Sequence, residues 1–212
     1  MALGGGGVRG LYIALEGADR VGKSTQVQKL VKRLKTLELQ VVETQEPGGT
    51  PLGAEIRRLV LQEGTGSPLA ELFLFLADRA EHQHRVLEPA LRRGAVVVSD
   101  RSAYSTVAYQ GILGGLGADR ILHLHDESGL LLPDLAVVLD MPEDADRWDD
   151  RPMDAVESRT AQEGLRHAYR EMAHLWPDRI RLIDADGSAR DVAQEIWQEV
   201  WQTVVTWREG RG

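Results

Sequence analysis

The run Gly17-Ala18-Asp19-Arg20-Val21-Gly22-Lys23-Ser24 fits the pattern G-x-x-x-x-G-K-[ST] and follows directly on an apolar stretch, residues 11–15 (LYIAL). This pairing constrains the chain more than any other feature. Glycines let a backbone come close to phosphate oxygens, and turned N–H groups at the start of a helix make an anion site. A lysine in this place neutralises the outer phosphates of a nucleoside triphosphate, and the hydroxyl after it can ligate magnesium. The pattern needs a strand before it and a helix behind it. The helix is supplied by residues 22–37, where Val27, Leu30, Val31 and Leu34 recur at helical spacing. An ordinary glycine turn would lack that setting. Arg20 inside the loop adds a positive charge that can lie over a transferring phosphoryl group. The carboxylate of Asp19 would repel phosphate, so it suits a sugar hydroxyl or a magnesium ion better.

Short apolar runs alternate with helical patterns along the rest of the chain. Strands are expected at residues 41–44, 96–99, 135–139 and 180–183, besides 11–15. Helices are expected at residues 52–61, 69–93 (interrupted near Glu88-Pro89), 157–175 and 189–207, with Glu46-Pro47-Gly48-Gly49-Thr50-Pro51 a loop. Strands separated by helices imply an α/β fold, a parallel β-sheet core flanked by helices. Ligands of such sheets bind at the carboxyl ends of the strands, so the residues that follow each strand carry the functional reading.

One of them is Asp100-Arg101, directly after residues 96–99. An acid facing a phosphate loop can organise magnesium or its waters, and an arginine beside it can take an acceptor phosphate with two hydrogen bonds. Ser105, Tyr109 and Gln110 then fall within about two helical turns and read as a polar wall. Two histidine pairs, His82 with His84 and His123 with His125, lack a third ligand at metal-site spacing and read as surface or packing residues. Asp126-Glu127 reads as a helix end. Trp197 and Trp201 share a face of the last helix and read as its anchor to the body.

Composition excludes several classes. With 212 residues, 42% hydrophobic and 27% charged, the chain suits a single globular domain. A formal net charge of -8 argues against a sequence-independent nucleic-acid binder. The absence of cysteine rules out disulfides and thiolate chemistry. No apolar run reaches the length of a membrane span of roughly 20 residues, and MALGGGGVRG reads as a glycine-rich tail; a cytoplasmic protein is expected.

EGADRVGKST, TQEPGGTPLGAEIRRLVL, LFLFLADR and DRSAYSTVAYQG, in this order and continued by PDLAVVLDMP and IDADGS, resemble the thymidylate kinase family over most of the chain. The resemblance implies a P-loop nucleoside-monophosphate kinase fold, ATP and dTMP as small-molecule substrates, magnesium, and a homodimer with contacts near residues 69–76 and 105–113. With the glycine-rich tail taken as a flexible segment at 1–9, it implies one kinase domain at 10–208 with a short lid near 147–156. ATP would be held by Gly17, Ala18, Asp19, Arg20, Val21, Gly22, Lys23, Ser24 and Thr25, with Arg147 of the lid, and magnesium by Ser24 and Asp100. Arg20, Lys23, Asp100 and Arg101 would be the catalytic groups. The dTMP phosphate would meet Arg57 and Arg101, with Asp19 near phosphate and sugar. Phe75 would stack on thymine, Arg79 bond its edge, Ser105 and Gln110 contact the base, and Tyr109 crowd a ribose 2′-hydroxyl. Phe75 and Arg79 share a helix face at i and i+4, although composition alone would place Phe75 in the core.

The chain departs from the family in two places. Ser102 stands where a large residue usually follows Asp-Arg, with Tyr104 expected to fill the space. The lid is short and acidic, with Arg147 and Arg151, which suits a division of labour in which Arg20 stabilises the transition state. Rival readings are a kinase for another nucleotide or deoxynucleoside, or a nucleotide-binding regulatory protein that transfers nothing. The missing guanine-reading motif N-K-x-D lowers a GTP-driven switch.

Overall fold

The computed structural model describes residues 9–142 and 159–210; the expected lid with Arg147 and Arg151 lies outside them. The chain runs through β1 (Leu11–Gly17), α1 (Lys23–Lys35), β2 (Val41–Gln45), α2 (Pro51–Arg58), α3 (Pro68–His82), α4 (Glu88–Arg92), β3 (Val96–Asp100) and α5 (Ala103–Thr106). It continues through α6 (Ala118–Glu127), β4 (Leu135–Asp140), α7 (Arg159–Leu175), β5 (Ile180–Asp184) and α8 (Ala189–Glu209). The strands form one parallel sheet in the order β2-β3-β1-β4-β5. Helices cover it, as the apolar strand runs require.

The central strands are buried on both faces: Ile13 and Leu15 of β1 and Val96 and Val98 of β3 are in the main core, Tyr12 and Val97 are in a second core on the other side, and Ala136 and Val137 of β4 are both buried in the main core. Each strand lies where the sequence indicates, yet each extends one or two residues further, to Gly17, Gln45, Asp100, Asp140 and Asp184. The apolar pattern stops early because these last residues are polar or glycine, while the backbone ladder continues past them. The extra residues form the carboxyl edge of the sheet.

Four helix starts, those of α2, α3, α5 and α8, are set by side-chain caps. Thr50, Ser67, Ser102 and Ser188 accept hydrogen bonds from first-turn N–H groups, and Pro51 and Pro68 occupy first-turn positions that need no donor. The expected interruption near Pro89 takes another form. From α3 the helix widens into a π-helical turn at Gln83–Leu87 and passes straight into α4, where Pro89 sits in the first turn. Pro89 thus falls in a first-turn position, where its missing N–H leaves no helical bond unmade. Similar π-helical stretches follow α2 at Leu59–Glu63 and α5 at Val107–Leu113. Arg9, expected in a flexible tail, is tied down: its guanidinium pairs with Asp134, and its carbonyl accepts from Trp207 Nε1 at 2.8 Å. Trp197 and Trp201 stack at 5.4 Å between ring centroids and pack against the core, with Arg33 over Trp197 at 4.1 Å. They anchor α8 as expected.

Gly17 closes β1 with φ +132°, and a Cβ there would lie 2.6 Å from the carbonyl oxygen of Leu139. Backbone cannot yield as a flexible side chain does, so Gly17→Ala is expected to lower the unfolding free energy by about 2 kcal/mol or more, measured by urea denaturation.

Candidate functional site

The loop between β1 and α1 adopts the geometry its glycines permit. Gly17, Arg20 and Gly22 have positive φ, at +132°, +64° and +92°. α1 begins at Gly22 with no side-chain cap and no acidic residue in its first turn, so its N–H groups and dipole are available to an anion. Ala18 and Val21 turn into the core. Lys23 is buried, and its ammonium donates to the carbonyl oxygens of Gly17 at 3.1 Å and Ala18 at 2.6 Å. Burial and the neighbouring Arg101 lower its pKa to about 7, against the opposing pull of Asp19, Asp100 and Glu16.

β3 runs beside β1 with Asp100 paired to Leu15, and the Arg101 N–H donates to the Leu15 carbonyl at 2.9 Å. Two motifs far apart in sequence therefore meet. Ser24 Oγ donates to Asp100 Oδ2 at 2.5 Å, directing its hydrogen at the carboxylate and leaving its lone pairs outward. Two hard oxygens so arranged suit a magnesium ion. Arg101, itself at φ +72°, donates from Nη1 to Ser105 Oγ at 3.1 Å and Gly17 O at 3.3 Å. Its Nη2 donates to Asp19 Oδ1 and to Tyr109 Oη at 3.0 Å, while Tyr109 Oη donates to Asp19 Oδ2 at 2.9 Å. Burial alone would raise the pKa of Asp19, but Arg101, Lys23 and the Tyr109 hydroxyl outweigh it and hold the carboxyl below its ordinary value.

Two cavities adjoin here. The first, about 330 Å³, is lined by Asp19, Arg20, Gly22, Lys23, Ser24, Thr25, Asp100 and Arg101 with Gln45, Glu46 and Arg57. The second, about 290 Å³, is lined by Asp19, Arg57, Phe75, Arg79, Arg101, Ser105, Tyr109 and Gln110, besides Glu46, Pro47, Val60, Leu61, Glu71 and Thr106. Asp19, Glu46, Arg57 and Arg101 belong to both. All eight residues expected around the acceptor are thus on one wall. Some of their polar atoms are already engaged within the protein. The Ser105 hydroxyl donates to Glu16 Oε2 at 2.6 Å, and the Gln110 amide to Glu71 Oε1 at 2.7 Å.

Sequence reasoning missed the polar groups behind this wall. Glu16 is fully buried and accepts from the hydroxyls of Ser102 at 2.7 Å, Ser105 at 2.6 Å and Tyr169 at 2.9 Å. Burial raises its pKa, with Ser105, Ser102 and Arg101 acting in the other direction. Ser102 thus fills its own place by bonding to Glu16. Tyr104, expected beside Arg101, packs on Trp176 instead, at 6.3 Å between ring centroids. From α7, Gln162 accepts the Asp19 backbone N–H at 2.9 Å. Glu46, which follows β2, binds Arg79 Nε at 2.7 Å and His82 Nδ1 at 2.8 Å. One signal was available: Glu16 and Glu46 each stand where a strand run ends, the edge at which such sheets do their chemistry. His82 and His125 are buried, whereas His84 and His123 are exposed, and Asp126-Glu127 is the end of α6. No helix of the described residues is long and apolar enough to cross a membrane.

Burial would raise the pKa of Glu46, yet Arg79 and His82 bring it down to about 2, while burial and Arg79 lower that of His125 to about 4. Both groups bind protons more readily in the unfolded chain. Folding stability is therefore lost as pH falls from 6.5 to about 4 through His125, and from 4.5 to about 2 through Glu46. Glu46→Gln is expected to cost about 3 kcal/mol at pH 7. The deficit should narrow below pH 4.5 in urea unfolding followed across a pH series.

A family model described as thymidylate kinase matches residues 15–196. A thymidylate kinase of Bradyrhizobium diazoefficiens is 42% identical over 197 residues, covering 87% of this chain and 86% of the relative. One of Mesoplasma florum is 37% identical, covering 94% of this chain and 99% of its own. Among solved structures, the thymidylate kinase of Ehrlichia chaffeensis superposes with a TM-score of 0.76 at 28% identity, covering 91% of this chain and 99% of that one. A phosphate loop and a nucleoside-sized cavity joined at Asp19 and Arg101, in a chain so matched along its length, lead to one conclusion: the protein belongs to the thymidylate kinase family.

Proposed function

We propose that this chain transfers the γ-phosphoryl group of ATP to dTMP, giving ADP and dTDP, within one domain at 10–208 and in the cytoplasm. The observation that carries the reading is the wall common to both cavities, where Arg57 and Arg101 stand between the phosphate loop and the nucleoside-sized pocket. An acceptor without a phosphate would bring Arg57 no counter-charge and would have nothing to exchange for the contact of Arg101 with Asp19.

The acceptor phosphate is anionic at neutral pH, so its oxygen needs no strong base to attack the γ-phosphorus. Rate comes from alignment and from screening of charge. Arg57 and Arg101 hold the acceptor phosphate, and Lys23 leaves the loop carbonyls to meet the outer phosphates of ATP. Ser24 and Asp100 would hold a magnesium ion, which supplies charge neutralisation to the phosphates. Asp19 exchanges its bonds with Arg101 and Tyr109 for the incoming nucleotide, and Tyr109 crowds a ribose 2′-hydroxyl. Phe75, half-buried on the pocket wall, stacks on the base, and Arg79 reads its edge.

The chain works as a homodimer. Leu69, Phe73, Ala77 and Ala80 line up along one exposed side of α3, with Leu69 40% and Phe73 57% accessible. An apolar helix stripe of this kind calls for a partner surface, and a second copy presents the same stripe in an isologous contact.

ADP formation with magnesium-ATP should be selective for dTMP over UMP, dCMP, AMP and thymidine; turnover with none of them despite ATP binding would sink the enzyme reading. Arg20→Ala should lower kcat by about 10²–10³ with the KM for dTMP nearly unchanged, read from steady-state kinetics. Phe73→Asp should elute as a monomer in size-exclusion chromatography, and an unchanged dimer would exclude this face of α3.

A further inference from the structure

Arg79 is 4% exposed and still lines the acceptor cavity. Its guanidinium has five N–H donors and no acceptor. Nε donates to Glu46 Oε2 at 2.7 Å, and Nη2 to the Ser102 carbonyl at 3.1 Å. Nη1 serves Thr106 Oγ1 at 3.1 Å and the imidazole Nε2 of His125 at 2.8 Å. Four contacts thus fix the plane of the group, and the second N–H of Nη2 has no protein acceptor among the described residues.

An arginine cannot accept a hydrogen bond, so Nε2 of His125 must carry the lone pair. The proton then sits on Nδ1, which donates to the Ile121 carbonyl one turn back in α6 at 2.7 Å. That bond orients the ring and selects its tautomer at once. A neutral acceptor suits the position. Glu46 already balances the charge of Arg79, and an apolar residue would leave a buried N–H unpaired, which is costly. His125 lines neither of the two cavities described above, and neither the phosphate transfer nor the fold of α6 requires a histidine there.

We infer that His125 is a positioning residue for base recognition: from α6 it locks the guanidinium of Arg79 so that a single N–H is left to meet a carbonyl on the pyrimidine edge. A pyrimidine presenting an amino group at that edge would meet donor with donor. The inference rests on the reading of Arg79 given above. It extends the recognition apparatus to a residue of α6, 46 positions along the chain from Arg79.

Steady-state kinetics with dTMP and dCMP on His125→Leu, His125→Gln and Arg79→Lys test it. His125→Leu should raise the KM for dTMP about tenfold and reduce the preference for dTMP over dCMP by a similar factor, the effect of losing one well-placed hydrogen bond. Its kcat and KM for ATP should stay within about twofold. His125→Gln, whose amide oxygen can accept from Nη1, should recover most of the loss. If His125→Leu keeps parental selectivity while Arg79→Lys loses it, the inference about His125 is overturned and the reading of Arg79 stands. If Arg79→Lys keeps selectivity as well, both fall. Nitrogen-15 NMR of the imidazoles of the parent enzyme is an independent measurement. It should show His125 protonated on Nδ1 only, in the free and dTMP-bound forms, and a proton on Nε2 would overturn the inference even if the leucine variant does not fold.

Discussion

The register between β1 and β3 is the constraint on which the site depends. Leu15 pairs with Asp100, and the Arg101 N–H closes on the Leu15 carbonyl. With that register set, the phosphate loop after β1 and the acid–arginine pair after β3 stand side by side. Ser24 can reach Asp100, and Asp19 can reach Arg101. A slip of one residue would turn alternate side chains to the opposite face, taking Asp100 away from Ser24.

The cleft is a balance of buried charges held by shared partners. Arg101 and Lys23 face Asp19, Glu16 and Asp100 at the loop, while Arg79 faces Glu46 at the back of the nucleoside pocket. Buried ions are tolerable only when paired and hydrogen-bonded, and both sets meet that condition with hydroxyls, carbonyls and neutral imidazole. Removing a member strands its partner in a medium that solvates it poorly. The pairing of Asp19 with Arg101 differs in kind, since it occupies donors that a nucleotide phosphate would use. In the free protein Asp19 is the counter-charge of Arg101, a contact that substrate would replace under the proposed function.

Helical irregularities supply the shape of the pocket. The π-helical stretch Val107–Leu113 continues α5 and carries Tyr109 and Gln110, and Leu59–Glu63 contributes Val60 and Leu61 to the same cavity. A wider helical turn changes the direction in which successive side chains project, which lets Tyr109 reach back to Asp19. Ser102 shows the same economy of means. It caps α5, donates to Glu16 and offers its carbonyl to Arg79, so a small residue joins the two buried charge systems.

The sequence by itself determined the sheet, the phosphate loop and the family. Apolar strand runs, helical spacing and glycine placement are local properties, and the four motifs that carry the resemblance are contiguous strings. It also indicated that Arg101, Ser105, Tyr109 and Gln110 share one cavity, because Asp100-Arg101 and the following helix are a single segment, whereas Phe75 and Arg79 were singled out by the resemblance alone. Only the tertiary structure decided how those residues are held. The bonds of Glu16 to Ser102, Ser105 and Tyr169, of Gln162 to Asp19, and of His125 to Arg79 join elements between 46 and 153 positions apart. No spacing rule connects residues so distant. The strand ends were misjudged for a related reason: hydrophobicity reports where side chains are buried, whereas a strand ends where its backbone partners do, and the polar residues in between are the ones that face the cleft.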